Sequence, residues 1–136
     1  MYKKILAGLG GAVALSLLHE AIRKNFDNVP EINKVGEEAL EKVLDKVDMR
    51  VSNHEQLYAA TLAGDVIGNG MYYAATATTE FNITSGLLMG MGAVVLPEKM
   101  GLDDEPVAEN NQKKIMTVVY YLFGAVVTKL IYDRIK

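Results

Sequence analysis

The chain has no cysteine, so disulfides, thiolate metal sites and thiol catalysis are excluded, and the redox compartment leaves no mark on the composition. Histidine is nearly as scarce. With only His19 and His54 present, and a metal site needing three or four ligands, neither a metal nor a cofactor is expected. His19-Glu20 does not begin a metalloprotease motif, because residue 23, where the second histidine would fall, is arginine. The glycines at 64, 68 and 70 follow no predicted strand, which argues against a phosphate-binding loop, and no serine sits in a nucleophile elbow. Positive charge is not in excess either: the net charge is −3, which gives no electrostatic reason to expect a nucleic-acid partner. No unbroken apolar run reaches the roughly 18 residues that would by themselves declare a membrane span.

What is present is a single domain's length, 136 residues, half of them hydrophobic. The mean hydropathy of +0.11 is high for a soluble domain and low for a bare set of spans. Several apolar helices diluted by one polar segment give such a value. The most informative stretch is residues 57–78, LYAATLAGDVIGNGMYYAATAT. Read as a helix, it carries Tyr58, Thr61, Asp65, Asn69, Tyr72 and Thr76 on one face, beside a stripe of small residues at Ala60, Gly64, Gly68 and Ala75. A carboxylate and a carboxamide one turn apart, flanked by glycines, suit a helix that meets polar partners away from water.

Residues 4–25 open with lysines and an apolar run, like a signal peptide, but HEAIRK follows instead of a small-residue cleavage site. A retained helix is expected, with Gly8, Gly11 and Ala12 as a close-contact strip and Ser16, His19, Glu20 and Arg23 further along. Pro30 breaks the chain. Residues 31–49 then form an amphipathic helix, with Ile32, Val35, Leu40, Val43, Leu44 and Val47 on one side. Four basic and six acidic residues over 31–50 make it a poor ligand for anionic lipid, so it is expected to pack over the end of a bundle. A tight connection at 79–82 leads to a glycine-rich apolar helix over 83–97, with Gly86 and Gly90; Pro97 is expected to end it, which leaves it too short to cross a bilayer unless it runs on past the proline. An acidic loop precedes the last helix, 114–132, which contains Gly124.

Glycines inside helical patterns, lysines and arginines just outside the apolar runs and tyrosines near their ends all favour a bilayer. The expected fold is all-α: an up-and-down four-helix transmembrane bundle, one domain over 1–136, with the amphipathic helix between the first and second spans. A soluble helical bundle is the alternative. The glycine-rich spans and the TLAGD and GAVVLP phrases resemble small bacterial membrane proteins, which implies the bacterial inner membrane.

In such a bundle, helical rise brings Ser16, His19, Glu20, Arg23, Tyr58, Asp65, Asn69 and Tyr121 to one depth, as a polar crevice with the amphipathic helix at its mouth. Asp65 there is a candidate proton carrier or general base, His19 its partner, and Arg23 a holder of an anionic headgroup. The structural alternative is that these groups only pair with neighbouring helices, as buried polar groups must. Two functions follow. The first is an interaction or accessory bundle, with the bilayer and a homo-oligomer or membrane protein as partners, and Gly8, Gly11, Gly64, Gly68, Gly86, Gly90 and Gly124 as packing positions. The second is a membrane enzyme or transporter of a small or lipidic ligand, which requires a cavity beside Asp65.

Overall fold

The computed structural model describes residues 1–77 and 82–136. Among these residues six helices follow in order: α1 (Tyr2–Asn25), α2 (Ile32–Lys46), α3 (His54–Ala75), α4 (Asn82–Lys99), α5 (Glu105–Ala108) and α6 (Asn111–Ile135). No strand occurs among the described residues. The connection expected at 79–82 lies outside the described residues except for Asn82, which opens α4.

The long helices run alternately up and down. Gly8 of α1 meets Gly70 and Ala74 of α3, Gly11 meets Gly124 and Thr128 of α6, and Gly90 of α4 meets Val118 of α6. They therefore stand in the order α3, α1, α6, α4. The three neighbouring pairs pack along their lengths, whereas α3 and α4, which would close the ring, barely touch. Helix α2 lies across the end where α1 finishes and α3 begins, on the α3 side of α5.

Close approach of backbones sets this packing. A methyl group at Gly86 would sit 2.5 Å from Ala125 Cβ, and one at Gly90 2.8 Å from Val118 Cα. Only hydrogen side chains allow α4 and α6 to come so near. The interior is accordingly small or polar: Ala7, Ala12, Ala125, Thr117, Thr128, Ser85, Asn82, Tyr73 and Tyr120 are buried. Most of the polar ones are bonded, Tyr120 Oη being an exception. Tyr73 Oη donates to Tyr121 O (2.7 Å), Tyr72 Oη to Ser85 O (2.9 Å), and Thr128 Oγ1 to Gly124 O (2.8 Å). Asn82, with its amide turned to suit its surroundings, donates to Ala125 O and accepts from Lys129 N, both at 3.1 Å. Most large aliphatic side chains point outwards, among them Leu6, Leu17, Ile67, Met71, Leu88, Met91, Ile115, Val119 and Leu130, while Leu15, Leu57 and Val107 are buried. A soluble bundle has the opposite distribution, because burying such side chains is what drives its folding.

Two features depart from the sequence expectations. Among the described residues, only α1 and α6 are long and apolar enough, by length and hydropathy, to cross a membrane. Helix α3 interrupts its apolar stretch with Asp65 and Asn69, and α4 ends in Pro97-Glu98-Lys99, so four spans are not established. Helix α4 also continues past Pro97 to Lys99. A proline in the last turn costs only the bond from its missing N–H. The helix stops instead at Gly101, whose φ of +79° suits glycine and lets Leu102 N reach Pro97 O (2.8 Å).

Candidate functional site

Seven of the expected crevice residues, Ser16, His19, Glu20, Tyr58, Asp65, Asn69 and Tyr121, line one small cavity together with Leu15, Ile32, Asn33 and Leu62. Its volume is about 20 Å³, room for one water molecule. The antiparallel register of α1 and α3 explains the meeting: with Gly8 opposite Ala74, residues 16–20 fall opposite 58–65. Arg23 is at the edge and outside the lining. Its Nε and Nη2 donate to Glu20 Oε1 (3.3 Å) and Oε2 (2.9 Å), and its guanidinium lies 5.7 Å from the centre of the Tyr58 ring. Tyr58 Oη also donates to Glu20 Oε1. The guanidinium expected to hold an anionic headgroup is thus already engaged by a carboxylate.

His19 is equally committed. Its Nε2 accepts the backbone N–H of Ile32 (3.1 Å), one of the first-turn donors that α2 cannot satisfy internally. The proton therefore sits on Nδ1, and the ring packs edge-on against Tyr120 with centroids 6.0 Å apart. His19 anchors the start of α2, and Glu31 N, donating to Pro106 O (2.9 Å), ties the same turn to α5. Across the far half of α2, Lys42 Nζ donates to Gly101 O (2.5 Å) and Glu38 Oε2 accepts from Asp103 N (2.9 Å).

Asp65 differs from all of these. Among the described residues nothing bonds to its carboxylate, which faces Gly36 of α2: a methyl group there would lie 3.5 and 3.6 Å from the two oxygens. On its other side opens a second, far larger cavity of about 490 Å³, within the usual range of ligand pockets. It fills the gap between α3 and α4 and is roofed by α2 and α5. Its wall is Ile32, Val35, Gly36 and Ala39 of α2; Tyr72 of α3; Leu88, Met89, Gly92, Ala93, Leu96 and Pro97 of α4; Tyr121 of α6; then Met100, Leu102 and Val107. Asp65 is the one charged residue among them. Leu88, Leu96 and Met100 are largely exposed, so the cavity communicates with the surroundings of the bundle.

Sequence reading missed this chamber and its α2 and α4 walls. Asn33 and Gly36 carried no signal in the apolar stripe of the amphipathic helix, and nothing in the periodicity announces a gap. At the contact of α2 with α3, Asn33 Oδ1, Glu37 Oε1 and Thr61 Oγ1 are buried without hydrogen-bond partners. Among the described residues no group of three or more His, Asp or Glu is arranged to hold a metal ion. Of the expected packing glycines, 8, 11, 86, 90 and 124 lie against neighbouring helices, while Gly64 and Gly68 have nothing within 4 Å of where a Cβ would be. Comparison with protein-family models, curated proteins and solved structures gives no match.

Proposed function

We propose that this chain is a small integral membrane bundle that binds an apolar or amphiphilic ligand in the chamber between α3 and α4, with Asp65 as the polar end of the site. The observation that carries the reading is the chamber itself: about 490 Å³, walled by hydrocarbon, touching one unbonded carboxylate. The bilayer setting is supported by the outward Leu, Ile, Val and Met side chains around a core of Ala, Gly, Thr and Tyr. Four helices then cross the membrane, α3 and α4 shielded in part by α1 and α6, and α2 lies at the interface. The bacterial inner membrane is the location this reading carries over from the sequence. Binding is favoured over catalysis because the other candidate acid–base groups are engaged, His19 by Ile32 N and Glu20 by Arg23 and Tyr58.

A neutral lipid analogue with a photoactivatable diazirine in its chain tests this in reconstituted protein. Labelling is expected on the chamber wall, in peptides covering 65–72 and 88–102, and Ala93→Phe, which fills the chamber, should abolish it. Labelling confined to outward positions such as Leu6 and Leu17, unchanged by Ala93→Phe, overturns the reading.

A second reading has its own observation. Ala60, Gly64, Gly68 and Ala75 form an exposed small-residue stripe on α3, spaced as in close helix pairs in lipid. This supports assembly through α3, with a further copy or another membrane helix as partner. The mass of the solubilised particle, compared between wild type and the pair Gly64→Leu and Gly68→Leu, decides it: an unchanged mass removes the assembly role.

A further inference from the structure

The chamber and its margin hold polar groups without hydrogen-bond partners, carboxylate and carboxamide oxygens among them. Asp65 is unbonded, and Asn33 Oδ1, Glu37 Oε1 and Thr61 Oγ1 at the adjoining α2–α3 contact are buried and without partners. The α4 wall adds a further acceptor, since Pro97 has no N–H to give the carbonyl of Ala93, and both residues line the chamber. Cations are missing from the same place. No lysine, arginine or histidine lines the chamber, and the nearby Arg23 is neutralised by Glu20. Two aromatic side chains, Tyr72 and Tyr121, also line the chamber, and aromatic rings attract cations. A half-buried carboxylate beside hydrocarbon favours a counter-charge, and among the described residues no cation lines the chamber and no hydrogen bond reaches Asp65.

We infer that the ligand of this chamber is a lipophilic ammonium: a hydrocarbon body against Leu88, Met89, Ala93 and Leu96, with its charged nitrogen on the Asp65 carboxylate, on the side lined by Tyr121. This rests on the chamber being a ligand site, and the test separates the two claims. The protein is placed in phosphatidylcholine nanodiscs with its methionine methyl groups labelled with carbon-13. Met89 lines the chamber, while Met71 and Met91 face outwards and serve as internal references.

Three probes of equal chain length are titrated: dodecylammonium, dodecanol and dodecanoate. The expected result is that dodecylammonium shifts the Met89 signal at about tenfold lower concentration than either of the others, as one charge-assisted hydrogen bond provides. Asp65→Asn should bring dodecylammonium level with dodecanol, and Asp65→Glu should keep the preference. Equal response to all three probes overturns the ammonium assignment and leaves the chamber as a ligand site. No Met89 response beyond that of Met71 and Met91 overturns both claims. If Asp65→Asn does not fold, the wild-type ranking of the three probes decides alone. Discs containing phosphatidylethanolamine identify the source. If that lipid already moves Met89 and blocks dodecylammonium, the ammonium belongs to a membrane lipid; if not, it belongs to a free amine.

Discussion

The α1–α6–α4 side of the bundle and the α3–α4 side are made of the same residue types and end in opposite states. On the first, Gly11, Gly86 and Gly90 are pressed against a neighbouring helix, and Thr128 and Asn82 find hydrogen-bond partners along or across the helices. On the second, Gly64 and Gly68 touch nothing, Asp65 is unbonded, and a chamber stands where helix contact would close the ring. Glycine in a helix is therefore not one signal. It marks a seam where the partner helix belongs to the same chain, and an open face where it does not.

The contrast is most sharply broken at the seam. Gly90→Leu forces a side chain into the backbone of Val118, where even a Cβ would lie 2.8 Å from its Cα, so α4 has to move away from α6. A loss of about 3 kcal/mol is expected, the upper part of the usual overpacking range, read as a collapse in thermal stability in detergent. Tyr73→Phe removes a fully buried bond to Tyr121 O and should cost about 1 kcal/mol in the same assay. His19→Ala leaves the Ile32 N–H without its acceptor. The expected cost is also about 1 kcal/mol, concentrated in α2 and visible as faster amide exchange at Ile32 with little change in α6. On the open side, Gly64→Leu and Gly68→Leu should change the stability of the isolated chain by less than about 0.5 kcal/mol. A large loss there would mean that α3 has a partner within the chain.

Much of the fold was legible because the helices announce themselves. Apolar runs flanked by lysine and arginine located α1 and α6, a regular apolar stripe located α2, and Pro30 marked the break before it. The layer containing Asp65 was legible too, since up-and-down order and helical rise fix which residues share a depth. Pro97 misled because it falls in the last turn, where its missing N–H costs a single bond, and α4 ran on to Lys99. The chamber was invisible for a different reason. Whether α3 and α4 close on each other depends on how tightly α1 and α6 hold them, and a one-dimensional pattern carries no record of that. The role of His19 was hidden likewise, because its partner is a backbone N–H that any residue could present.

The unbonded carboxylate at the edge of a hydrocarbon-lined chamber can be tested by its reactivity. An apolar carbodiimide and a water-soluble one are applied separately to the reconstituted protein, and modified carboxylates are located by peptide mass spectrometry. Asp65 should react with the apolar reagent and not with the soluble one, and Ala93→Phe should protect it, while Glu20, held by Arg23 and Tyr58, stays unmodified. Faster modification of Asp65 by the soluble reagent, or equal modification in the Ala93→Phe variant, would contradict the account.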